Sequence, residues 1–209
     1  MSTPSAPRRR VRTRPATVSV ELRRHSGLRV SPHAFARICA DNPDLRLERA
    51  ATGELIVMAP AGMESGGRNA SLTAQIWTWN SRTKLGRVFD SSAGFTLPNG
   101  VVRAADTAWV ARDRWERLTA VERDSFADIV PDFVAELRSK SDRISELRQT
   151  LLGYLDQGVR LAWLIDPYTS TCEIYRPGRP VEVLDRPATL SGEDVLPGLV
   201  LDLRGILFD

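Results

Sequence analysis

Two hydrophobic periods alternate along the chain. "LRLERA" (45–50) and "ELIVMA" (54–59) flank Thr52-Gly53, and the first arm alternates apolar and polar residues, so the pair predicts an antiparallel hairpin. In "ESGGRNASLTAQIWTWNSRT" (64–83) the period changes. Leu72, Ile76 and Trp79 recur at spacings of four and three, which is one face of a helix entered through a glycine-rich approach. "SPHAFARICADNP" (31–43) predicts a shorter helix, opened by Ser-Pro and stopped at Asn-Pro. "GRVFDSSAGFTLPNGVVRAADTAWV" (86–110) reads as a strand meander turning at Pro98-Asn99-Gly100, and "RDRWERLTAVE" (112–122) as a helix.

The order of the next three segments decides the topology. "DFVAELRS" (132–139) is a strand, "SDRISELRQTLLGYLDQG" (141–158) an amphipathic helix closed by Gly158, and "RLAWLID" (160–166) an apolar strand of the buried kind. A strand, helix, strand crossover places its two strands parallel in one sheet. "TCEIYRP" (171–177) then pairs back across Pro167–Ser170. The expected fold class is α/β, a mixed β-sheet flanked by α-helices, with no internal repeat and a single domain over 21–209.

Composition fits one globular domain: 209 residues, 42% apolar and 26% charged. The charge is uneven. Residues 1–15 hold five arginines and no acid, leaving 24 bases against 26 acids in the remainder, so the net +3 belongs to the tail. Residues 1–20 are expected to form a disordered basic tail, whose use would be electrostatic attraction to nucleic acid. Cys39 and Cys172 make no CxxC motif and read as free thiols. No apolar run reaches the roughly 18 residues of a membrane span, and no secretory signal core precedes the body. The expectation is a cytoplasmic protein with no membrane partner.

Candidate chemistry follows from strand parity. Positions i and i+2 share a side, so Glu136 and Arg138 lie on one face, as do Asp106 and Ala108. A carboxylate in such a strand is costly unless it is paired or binds a metal. One Asp and one Glu from neighbouring strands, with carbonyls and waters, would suit Mg²⁺ and hence phosphodiester cleavage. The plainer reading makes Glu136 and Arg138 a solvated pair at a strand end, Asp106 a turn cap, and Glu64 an acid favoured by a helix's first turn. Asp132 and Asp142 read as turn and cap residues, and the five tryptophans as core or interface. The glycines of "AGMESGG" precede no Gly-Lys-Ser/Thr, no GxSxG elbow occurs, and two histidines are too sparse for a triad.

Through "NPDLRLERAATGELIVMAPAG", "SGGRNASL", "VFDSSAGFTLPNG", "DTAWV", "PDFVAELRSKSDR" and "GVRLAWLIDP", the chain resembles the Uma2 family over about residues 30 to 205. That family is a branch of the PD-(D/E)XK nuclease superfamily assigned to restriction endonucleases. The resemblance implies a Mg²⁺-dependent DNA endonuclease, with Mn²⁺ as the substitute ion, DNA as partner and a homodimer as the assembly that lets two sites cut both strands. It implies that Asp106 and Glu136 are metal ligands, with Glu64 an additional acid near the metal. Two positions depart from the pattern. Ala105 stands where the family has proline, and Thr150 stands where the family has a lysine on the helix after the motif glutamate. Arg138 is the expected substitute for charge stabilisation, ahead of Lys140. The alternative is a catalytically weakened relative that binds nucleic acid or a protein.

Overall fold

The computed structural model describes residues 25–208, so the basic tail lies outside the described residues. The chain opens with β1 (His25–Arg29) and α1 (Pro32–Asp41). Ser31 Oγ accepts from the Ala34 N–H at 3.1 Å and Pro32 sits in the first turn, which is why the helix starts there. β2 (Arg46–Arg49) and β3 (Glu54–Met58) form the expected antiparallel hairpin, Arg46 opposite Met58 and Arg49 opposite Leu55. The long helix α2 (Met63–Thr83) buries Leu72 and Ile76 completely and ends at Lys84 in the left-handed conformation.

The segment 86–110 is not one meander. β4 (Gly86–Asp90) pairs antiparallel with β7 (Thr107–Ala111), while the intervening β5 (Phe95–Thr96) and β6 (Val102–Arg103) fold out as a short hairpin onto β2. Apolar alternation marks both pairs alike; which sheet each joins is a non-local choice. The expected helix 112–122 is also divided, into α3 (Arg112–Glu116) and α4 (Ala120–Arg123). Thr119 makes a capping box with Glu122, a helix start in the middle of an amphipathic run.

β8 (Phe133–Leu137), α5 (Ile144–Asp156) and β9 (Leu161–Asp166) are the predicted crossover, and β8 and β9 are parallel. β10 (Thr171–Tyr175) returns antiparallel to β9. Beyond residue 177, where no element is predicted, the structure adds β11 (Glu182–Asp185), β12 (Thr189–Ser191) and β13 (Val200–Asp202). The result is a six-stranded mixed sheet, β11-β10-β9-β8-β7-β4, beside a five-stranded sheet, β1-β3-β2-β6-β5.

Strand parity divides the core into two layers. Trp109, Phe133, Ala135, Trp163 and Ile165 face α2, joined by leucines of the C-terminal segment. Ala108, Val110, Val134, Ala162 and Leu164 face α5, against Leu151 and Tyr154. Complete burial of a large apolar side chain contributes about 1.5–3 kcal/mol, so these layers hold β7, β8 and β9 rigidly under the site. Asp132, a buried turn residue, fastens β8 to β7: it accepts from the Ala111 N–H at 2.8 Å and pairs with Arg114 at 2.9 Å.

Candidate active site

The antiparallel register of β7 and β8 sets Thr107 opposite Ala135. Continued one residue beyond β7, this register brings Asp106 across from Glu136, which has the parity of the α5 face. Directly opposed acids repel unless a proton or a cation lies between them. Asp106 is held in place: its Oδ2 accepts from the Leu137 N–H at 2.8 Å, and Asn69 of α2 donates to Oδ1 at 3.4 Å. Glu136 is buried at 9% exposure.

The surroundings add charge of both signs. Glu48, on β2, accepts from Arg103 Nε and from the Ala104 N–H, each at 3.2 Å. Arg103, at the end of β6, also donates from Nη1 to Thr150 Oγ1 at 3.3 Å, bridging the second sheet to α5. Tyr154, one turn beyond Thr150, has a buried hydroxyl without a hydrogen-bond partner among the described residues. Glu48, Arg103 and Thr150 line a cleft of about 1800 Å³ between α2, the hairpin of β2 and β3, and the start of α5.

Burial pushes the Asp106 carboxyl up to about 6, against the lowering effect of the Leu137 N–H; Asp142 and Glu48 add to the rise. Glu136 is raised well above the ordinary glutamate range, first by burial and then by the charges of Asp106 and Glu48, with Arg103 opposing. Burial, then the charges of Glu136 and Glu48, raise Tyr154 as well. A buried and a half-buried carboxylate that together resist full ionisation fit a hard divalent cation, whose charge would offset the repulsion. Among the described residues no three His, Cys, Asp or Glu side chains are gathered into a cage.

The model of the Uma2 family, described as "Putative restriction endonuclease", matches residues 32–204. The chain belongs to the Uma2 family. The fold agrees with the crystal structure of a "putative nuclease belonging to DUF820" from Anabaena variabilis, with a TM-score of 0.65 at 21% identity, covering 77% of this chain and 89% of that one. No curated protein matches the chain. No helix among the described residues is long and apolar enough to cross a membrane.

Within this Uma2 chain the structure brings Asp106 and Glu136 together and places the other two expected residues elsewhere. Glu64 stands in the first turn of α2, largely exposed, paired with Arg68 at 2.9 Å, and does not line the cleft. Arg138 leaves the cleft too: its Nη1 donates to the buried Asp166 at 2.8 Å and its guanidinium lies 5.5 Å from the Tyr168 ring. The physical reason is the neighbouring strand: the Arg138 N–H continues the β8–β9 ladder to the Ile165 carbonyl at 2.9 Å, and the adjacent Asp166 at the end of β9 offers a carboxylate that captures the guanidinium. Lys140 lines the cleft but is exposed. Ala105 is buried at 1%, where its small side chain packs.

Sequence reasoning missed Glu48, Arg103, Asn69 and Tyr154. Glu48 and Arg46 share the polar side of an alternating strand, which reads as a solvated face until a second layer covers it. Trp77, expected in the core or at an interface, lies outside the core: it is 62% exposed and lines the cleft.

Proposed function

We propose that this protein is a divalent-metal-dependent endonuclease that hydrolyses DNA phosphodiester bonds, with Mg²⁺ as the working ion and Mn²⁺ as a substitute. The observation that carries this reading is the meeting of buried Glu136 and half-buried Asp106 in the lining of the cleft. These two residues would hold the ion, which supplies Lewis-acid stabilisation of charge building on the phosphate and eases loss of a proton from water. The chain does the rest. The Leu137 N–H and Asn69 fix the Asp106 carboxylate, so its orientation is set before substrate arrives. Glu48 faces the same cleft as a third acid. Water attacks phosphorus and loses a proton, the bond from phosphorus to one ester oxygen breaks, that oxygen takes a proton and leaves as the hydroxyl of one strand end, and the other end keeps the phosphate as a monoester.

A supercoiled plasmid incubated with the protein and Mg²⁺, Mn²⁺ or EDTA tests this. Nicking in either metal, absent in EDTA and lowered about 10²-fold or more by Asp106→Asn or Glu136→Gln, is the expected result. Nicking that survives Glu136→Gln at full rate would sink the assignment. The second reading, a nuclease fold reduced to a DNA- or protein-binding module, is favoured by Thr150 in place of the family lysine. It predicts DNA retention without nicking in any metal.

A further inference from the structure

Among the described residues three cations line the cleft: Arg46, Arg103 and Lys140. Arg46 and Lys140 are exposed, and Arg46 donates to the Ser91 carbonyl at the rim. Arg103 differs in each respect. Its side chain is only 22% exposed, and it is gripped at 3.2 Å by Glu48 and at 3.3 Å by Thr150. Val102, buried beside it, anchors β6 against β2 and fixes the guanidinium's approach.

We infer that Arg103 is the cation that meets the non-bridging oxygens of the scissile phosphate, supplied from the second sheet to the position where α5 offers only Thr150. This rests on the nuclease reading. The two bonds engage Nε–H and one proton of Nη1, two of the five donors of a guanidinium. A fork held before substrate binds loses little entropy when a phosphate arrives, whereas an exposed lysine must be ordered first. Arginine stays protonated, so Arg103 supplies charge and orientation and removes no proton. The same charge, sitting beside the carboxylates of Glu48 and Glu136, works against metal binding.

That opposition gives a signature which a purely structural arginine lacks. In Arg103→Ala, Mn²⁺ should bind severalfold more tightly by titration calorimetry, while single-turnover cleavage of a duplex falls about 10²-fold. Arg103→Lys should keep part of the rate, and Arg103→Ala combined with Thr150→Lys, which returns a cation from the helix, should recover part of the loss. Full-rate cleavage by Arg103→Ala overturns the inference and leaves the nuclease reading standing. So does a joint fall in Mn²⁺ affinity, melting temperature and rate that neither lysine variant corrects, which would make Arg103 a structural tie. If the wild type cuts nothing, the nuclease reading falls, and Arg103 is judged on a labelled duplex oligonucleotide in Ca²⁺: weaker binding by Arg103→Ala retains it as a phosphate cation, and equal binding removes it.

Discussion

Glu136 is expensive to the fold and central to the proposed chemistry for the same reason. Its carboxylate is buried opposite Asp106, so in the absence of metal the folded state prefers to keep protons on the pair. The sign for stability follows. A carboxyl whose folded pKa lies above its unfolded value favours folding when protonated, so stability is greatest at low pH and declines as pH rises from the ordinary carboxylate range through about 6 for Asp106, and further for Glu136. In EDTA, Glu136→Gln should therefore melt higher than the wild type at pH 8, by an amount worth about 1–3 kcal/mol, and should show a shallower pH slope. Adding Mg²⁺ should raise the wild-type melting temperature and leave the variant's nearly unchanged. A lower melting temperature for Glu136→Gln in EDTA would contradict the repulsion argument.

Arg138 illustrates the opposite case, a charge committed to structure. Removing it takes a cation and a donor from the buried Asp166, which also accepts from the Tyr168 N–H. Arg138→Ala should cost about 2 kcal/mol by urea unfolding, discounted for the partial exposure of the arginine. The cleavage rate per folded molecule should stay within a few-fold of wild type. A rate loss near 10²-fold would instead return Arg138 to the site.

At the scale of elements, β4 and α2 are joined at Gly86. Asn80 accepts from the Gly86 N–H at 3.0 Å, donates to the Gly86 carbonyl at 2.9 Å, and accepts from Trp109 Nε1 at 2.9 Å. A Cβ at Gly86 would lie 2.2 Å from the Val110 carbonyl and 2.5 Å from the Trp109 ring. Neither is the end of a flexible chain, so the strand or the ring must shift. Gly86→Ala should destabilise by about 1–3 kcal/mol, read as a drop in the urea midpoint with unchanged slope. Expected elements succeeded where a single period ran between clear boundaries, as in α2 and the β8-α5-β9 crossover. They failed where a boundary depended on a distant partner: β5 and β6 carry apolar residues like the strands around them, and only pairing with β2 sends them to the other sheet.

For the whole molecule, the cleft lies between elements far apart in the chain. The five arginines of residues 1–15 precede it in sequence, and the body they precede is near neutral. Deleting those residues should flatten the salt dependence of DNA binding, by up to about 0.9 in the log–log slope for each phosphate no longer neutralised, with single-turnover cleavage of bound DNA unchanged. An unchanged slope would show that the tail neutralises no phosphate.

Local order determined a good deal here. Apolar periodicity alone set the identity of the long helices, and the strand, helix, strand order made β8 and β9 parallel, because a chain entering and leaving a helix in one sheet has few ways to return. Parity put Glu136 with Val134, and both Asp106 and Glu136 line the cleft in the structure. Parity could not foresee the partner of Arg138, whose guanidinium is captured by Asp166 at the end of the neighbouring strand. Glu48, Arg103 and Thr150 lie 55 and 47 residues apart along the chain, yet form one hydrogen-bonded line across the cleft. No periodicity spans such separations. Only the packing of the second sheet against α5 decided that a strand-face glutamate and a hairpin arginine would be buried together beside the acid pair.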